Sequence, residues 1–359
     1  MDYAYLAVMV LLVLLVTGGA LAAPPVPPTL PEMPLADTGI GFFFDPFLKG
    51  QGVKFPNDKE RYFKHMAEVM GVNTTTIYYR NPEELASTID AAVRAGLGKF
   101  PLYLLVNGHG KDGAMADYKA ALLLGKEIWP PLIMYIANEI GESAEFDKEK
   151  TTKYYRDMAR EWRPLPVGGC ANGPGALAFA DIFHHILVTT AWYTDSLVEA
   201  YRERYGVVGT YRVGSAWRGY DMHRYVSGLW RWKTKTPLHL WWSYSACIRE
   251  DDEGNITLTD MGRAVRDGAY DYRLLRATEE AIYTPDSAYN PAVNGAMLWM
   301  QRLKDGVPTD PDFNITNRPP HYKDSTMYID SAPPFSSWEP LRQWCGSWLH
   351  EFTGAEQIW

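Results

Sequence analysis

Cysteine is scarce, with only Cys170, Cys247 and Cys345 in 359 residues. That count excludes a disulfide scaffold, no two of the three have the spacing of a metal knuckle, and at most one bridge can form. Positive charge is scarce too. With 35 Lys and Arg against 43 Asp and Glu, the formal net charge is -8. That leaves no basic footprint for nucleic acid and makes an uncharged substrate the easier fit. Phosphate-cradling loops and dinucleotide fingerprints are missing, since Gly18-Gly19 and Gly168-Gly169 lack the strand-turn-helix setting. No metal and no cofactor are expected. The pair His184-His185 stands before a strand, at the end of the fold away from the expected site.

What the chain does have is apolar and aromatic surface: 47% hydrophobic residues, 13 Trp and 23 Tyr, ample for one large core. Burial is the default for any one ring, although aromatic faces also stack on sugars. From Leu6 to Val16 the chain is uncharged and apolar, and small residues follow to Ala23, the grammar of an export signal. Asp2 and the lack of a preceding Lys or Arg keep an uncleaved anchor as the alternative, although the run is short for a full span. Six prolines between Pro24 and Pro34 describe a stiff, extended spacer. The expectation is a signal or anchor over 1–23, a spacer over 24–36, and a secreted or extracytoplasmic protein touching membrane only through its N-terminus. Asn73, Asn255 and Asn314 each open a glycosylation sequon, with chance as the competing explanation.

Beyond the spacer, apolar runs alternate with amphipathic helical segments. The runs are Gly41 to Phe44, Thr75 to Tyr79, Pro101 to Val106, Leu132 to Ala137, Val167 to Cys170, Ile186 to Thr190, Val208 to Val213 and Leu238 to Tyr244. Strand and helix repeated eight times predict a (β/α)8 TIM-type barrel over 37–282. Gly228 to Trp232 offers one more strand-like run. From 283 onward an irregular C-terminal extension is expected to pack on the barrel. Its helical intervals carry Trp344 and Trp348, whose spacing favours burial of one face over an exposed aromatic surface shared with Trp338 and Trp359.

In such a barrel the carboxyl ends of the strands carry the chemistry. The fourth strand stops on Asn138-Glu139, so Glu139 is the first candidate for a catalytic acid. Other rim residues follow from the same rule: Asp45, Arg80, Asn107, His109, Trp192, Tyr211, Trp242 and Tyr244. Each has a bland alternative. Arg80 beside Asn81-Pro82 serves equally as an ion-pair brace, and half the rings must be core because strand positions alternate between inward and outward. Asp195 reads as part of a helix start.

The stretch Arg263-x-x-Arg266-Asp267-Gly268-x-x-Asp271-Tyr272-x-x-Leu275, preceded by Gly228-Leu229-Trp230-x-Trp232 and Leu240-Trp241-Trp242, resembles the catalytic barrel of glycoside hydrolase family 123 and its uncharacterised relatives. The resemblance covers the Glu139 strand and the last third of the barrel. It implies a glycosidase that removes a 2-acetamido sugar with the substrate's own acetamido oxygen as nucleophile. Glu139 would be the general acid and Asn138 would take the orienting place of the family's aspartate. Tyr211 and Trp242 would hold the acetamido group. An amide there adds no negative charge, a loss of about 2–4 kcal/mol of transition-state stabilisation. Asn-Glu at this position also resembles the acid/base site of the large retaining glycosidase clan, but the seventh strand ends without a carboxylate, leaving Asp45 as the partner such a mechanism would need. The alternative from another class is a catalytically silent barrel serving as a surface, glycan-binding or assembly protein.

Overall fold

The computed structural model describes residues 38–47, 53–106, 111–140, 148–163, 165–171, 174–204, 206–213, 219–284, 292–307, 309 and 338–353. The expected signal and spacer, Asn107, His109, Asn314 and Trp359 lie outside them. Eight parallel strands close into a barrel: β1 (Gly39–Phe43), β2 (Thr74–Ile77), β3 (Leu102–Leu105), β4 (Leu132–Ile140), β5 (Val167–Ala171), β6 (His185–Thr189), β7 (Val207–Val213) and β8 (Leu238–Trp242), with β1 pairing β8. All eight fall on the apolar runs of the sequence. The helices between them are α1 (Lys59–Lys64), α2 (Pro82–Arg94), α3 (Lys111–Leu124), α4 (Lys148–Glu161), α5 (Asp195–Arg202), α6 (Gly219–Tyr225) and α7 (Arg231–Thr234). Asn81 caps α2, its side chain accepting the Glu84 N–H, with Pro82 and two acids in the first turn.

Alternation along the strands sorts the apolar side chains into two cores. Phe43, Tyr103, Ile133, Tyr135, Cys170, Leu187, Tyr211, Leu238 and Leu240 fill the barrel, while Ile40, Phe42, Ile77, Leu104, Met134, Ile186, Val208 and Trp241 meet the helices. Close approach between β1 and β2 requires Gly41, where a Cβ would lie 2.1 Å from the Thr74 carbonyl oxygen.

One sequence reading is corrected here. Gly228 to Trp232 is not a strand. Val226–Trp230 is a π-helical turn leading into α7, and every residue from Val226 to Trp230 is buried. A helix buried on all sides shows a continuous apolar run and hides its period. Its neighbour is α8 (Asp260–Tyr283), capped by Thr259 accepting the Gly262 N–H. Gly228 and Gly268 let the two helices cross closely: a Cβ on Gly228 would sit 2.9 Å from the Gly268 carbonyl oxygen. Asp271, fully buried on α8, takes Arg224 through bonds of 2.6 and 3.0 Å and Arg342 through one of 2.8 Å. Arg342 belongs to α10 (Trp338–Thr353), so this carboxylate ties the C-terminal helix to the barrel's outer layer. Trp344 stacks on Trp299 of α9 (Ala292–Gly306) at 3.8 Å and touches Trp348 at 5.0 Å. The three cysteines are free and buried. Asn73 is 2% exposed and bonded to the backbone of Ile40 and Thr38, so its sequon is structural. Among the described residues no helix is long and apolar enough to cross a membrane.

Candidate functional site

The carboxyl end of β4 departs from regular pairing. Its register with β5 shifts between Tyr135 and Ala137 and again between Ala137 and Ile140. Glu139 stands inside this irregularity at φ +48°, a left-handed conformation that costs a non-glycine residue about 1–2 kcal/mol. Bulges of this kind re-aim side chains at barrel rims, and strain of this kind collects at working sites. Glu139 and Asn138 are both exposed, the first exposed residues after six buried ones on that strand.

Beneath them lies a floor of hydroxyls. The Tyr211 hydroxyl of β7 donates to Glu139 Oε1 at 3.1 Å, and the Tyr135 hydroxyl of β4 donates to Asn138 Oδ1 at 3.3 Å. Cys170 of β5 is bonded to both tyrosine side chains and to the Glu139 backbone, yet burial outweighs these bonds and pushes its thiol up to about 12. It is therefore uncharged. Burial likewise raises Tyr135, with Cys170, Tyr78 and Tyr211 adding to the shift. Tyr78, just past β2, is raised by burial and by the nearby Asp45 carboxylate. Phe43 walls the same end, 5.8 Å from Tyr135, 6.3 Å from Tyr211 and 5.6 Å from Trp242.

The remaining candidates divide. Asp45 accepts the Phe47 N–H at 2.8 Å, closing the turn that follows β1. Arg80 forms a two-pronged pair with Glu84 and lies 4.2 Å over the Phe47 ring, which makes it a brace between the first two connections. Tyr244 is fully buried outside the barrel, its hydroxyl 2.9 Å from His65 Nδ1. Trp192 is 43% exposed on the turn after β6. The structure thus brings together Glu139, Asn138, Tyr211 and Trp242 from the sequence candidates, and adds Tyr78, Tyr135 and Cys170. His185 points into the barrel's opposite end, 2.8 Å from the Tyr103 hydroxyl. Among the described residues no group of three or more His, Cys, Asp or Glu could hold a metal ion.

No family model matches the chain, and no curated protein does. Solved structures that align with it include a dihydrodipicolinate synthase from Agrobacterium tumefaciens, at 14% identity and a TM-score of 0.38 over 77% of this chain and 82% of that one. Another is a dihydrodipicolinate synthase from Acinetobacter baumannii, at 14% identity and a TM-score of 0.38 over 88% and 99%. A third is an N-acetylneuraminate lyase from Mycoplasma synoviae, at 10% identity and a TM-score of 0.40 over 88% and 98%.

The resemblance to glycoside hydrolase family 123 is corrected accordingly. No model of that family matches the chain. Glycosidase, hexosaminidase-like activity and substrate-assisted hydrolysis fall with it. The geometry supplies the physical reason. The orienting position is an amide whose Oδ1 accepts from Tyr135, and the group facing Glu139 is the Tyr211 phenol where a retaining mechanism needs a second carboxyl. The silent-barrel alternative is no better supported. The motif behind the resemblance is structural here: Asp267 accepts the Tyr220 hydroxyl, Gly268 sits in the helix crossing, Asp271 binds two arginines, and Tyr272 lies 4.1 Å from the Arg231 guanidinium.

Proposed function

We propose that the protein is an acid–base enzyme of the lyase or isomerase kind, in which Glu139 moves a proton at a carbon beside a carbonyl group of a small polar substrate. The observation that carries this reading is Glu139 itself, held in a strained left-handed conformation at a barrel strand's carboxyl end and bonded to a buried phenol. Among the described residues it has no cationic partner, so its carboxylate is available as a base.

In the proposed reaction, the Glu139 carboxylate takes the proton and the C–H electron pair moves into the carbonyl, giving an enolate. The amide of Asn138 would meet the developing oxyanion. Because Asn138 Oδ1 accepts from Tyr135, its N–H groups are the donors left for a ligand. Tyr211 holds the carboxylate in position, and Cys170 in turn braces Tyr211. The protonated Glu139 then returns the proton to carbon or to a leaving group, so charge and protons balance. None of the eight strands carries a lysine, so what the barrel wall offers an enolate is hydrogen-bond donors and not an imine-forming amine.

The test is turnover of a panel of small aldehydes, ketones and 2-oxo acids, followed by proton NMR. Glu139→Gln should lower the rate of any substrate found by about 10²–10⁴-fold. Tyr211→Phe, which removes the hydroxyl and keeps the ring, should lower it by about tenfold at roughly the cost of one hydrogen bond. An unchanged rate in Glu139→Gln would overturn the assignment.

A further inference from the structure

The end of the barrel opposite Glu139 carries two features that the proposed chemistry does not use. In a parallel barrel every residue just before a strand lies on this face, so the segments before β4, β5, β6 and β7 share it. The first feature is a cavity of about 590 Å³ whose charged lining is Arg156, Arg160, Arg163, Arg204 and the single carboxylate Asp181, with His184 beside them. Asp181 is already paired with Arg156 at 2.8 Å, and Asp157, on the same helix, pairs with Arg160 at 3.2 Å. Arg163 and Arg204, both exposed, have no ion-pair partner among the described residues. His184 accepts the Val167 N–H on Nδ1, which leaves its Nε2 as the ring's donor. A chain of net charge -8 has thus gathered four guanidinium groups around one hollow.

The second feature lies beside it, at the end of α3 and in the connection from α3 to β4. Leu122, Leu123 and Leu124 are 48%, 88% and 46% exposed, and Ile128 is 94% exposed. Lys126 stands exposed between them. Side chains of this size rarely stand open in a group unless something covers them.

We infer that this face docks on an anionic lipid surface. Phosphate headgroups would occupy the arginine hollow, and Leu123 and Ile128 would enter the headgroup layer beside it. Guanidinium forks match phosphate oxygens two at a time, and aliphatic residues next to basic ones are what an interfacial contact requires. Such docking leaves the Glu139 end facing water, where a soluble substrate arrives. The inference does not depend on the chemistry assigned to Glu139.

The test is sedimentation of the full chain with vesicles of phosphatidylcholine alone or with about a third phosphatidylglycerol, comparing variants within the same chain so that the N-terminal segment contributes equally to all. Binding should be stronger to the anionic vesicles and should weaken at high salt. It should also drop about fivefold for each of Arg163→Gln and Arg204→Gln, since one cation near such a surface contributes about that factor. Leu123→Ser with Ile128→Ser should weaken it further, and the exposed positions leave folding unaffected. Equal binding to both vesicle types, or variants that bind as the parent does, would overturn the inference. Titration with glycerol 3-phosphate separates the two sources of phosphate: binding of the free ester with no preference for anionic vesicles would make the hollow a soluble-anion site and overturn lipid docking.

Discussion

Replacing Asp271 by Asn removes a fully buried negative charge that two arginines share. The carboxylate has no exposed surface, the Arg224 side chain opposite is 7% exposed and that of Arg342 is 20% exposed. The pair itself adds little net stability, since the desolvation of both ions offsets most of their attraction. Breaking it is another matter. Asn would leave the Arg224 guanidinium buried against a neutral amide, beside the Tyr220 hydroxyl at 3.3 Å. Stranding a buried charge in this way costs about 3–5 kcal/mol. For a fold of this size, at about 2.1 cal/mol/K of unfolding entropy per residue, that lowers the melting temperature by roughly 4–7 °C. Arg342→Met should cost less, about 1–2 kcal/mol, because Arg224 still neutralises the carboxylate and the methionine keeps the packing on α8. Thermal unfolding by circular dichroism measures both, and the double variant should be less destabilised than the sum because the two residues pair with each other and that bond is lost only once. A melting temperature for Asp271→Asn within about 1 °C of the parent would refute the reasoning, since that shift corresponds to under 1 kcal/mol.

Three further outcomes follow from the same coordinates. Glu139→Gly should abolish activity and leave the melting temperature equal or slightly higher, because glycine removes about 1 kcal/mol of left-handed strain; a large loss of stability would contradict the strain. Asp90→Ala should destabilise by about 1–3 kcal/mol, read as a shift in urea midpoint, because it leaves the Lys126 and Glu127 N–H groups and the Trp129 indole without their acceptor. Acidification should destabilise the fold. Burial lowers His65 and His185 to about 4, so these rings are neutral when folded but protonate in the unfolded chain near pH 6.5, and their contribution is complete above that value and lost as pH falls toward 4. Asp90 adds to the trend at lower pH: burial raises it, but the Trp129 and backbone bonds prevail and hold it below the usual carboxylate range, so its contribution also fades on acidification. Urea midpoints at pH 7 and pH 5 check this, and a higher midpoint at pH 5 would contradict it.

The barrel was legible because parallel strands buried on both sides read as unbroken apolar runs, and Leu132 to Ala137 is such a run with its polar end marked by Asn138-Glu139. Tyr135 was not legible as floor. Its inward aim follows from counting in twos from Ile133, but the register shifts beyond it break that count before it reaches Glu139. The left-handed backbone at Glu139 has no residue signature, since Asn or Gly, the usual occupants, are absent there. Gly228 to Trp232 misled because a helix buried all round has no polar face to reveal its period. The arginine and aspartate pattern on α8 misled in a different way. It is what a glycine-mediated helix crossing with a buried ion cluster needs, so it reports on the outer layer of the barrel and not on the chemistry at its mouth.

The most direct test of the account is hydrogen exchange at carbon. Incubating the protein in deuterium oxide with small carbonyl compounds and following loss of the α-proton signal by NMR reads the proposed step without knowledge of the final product. The account predicts enzyme-dependent exchange on at least one compound, lost by about 10²-fold or more in Glu139→Gln. Exchange that proceeds equally in Glu139→Gln, or none on any compound, would contradict it.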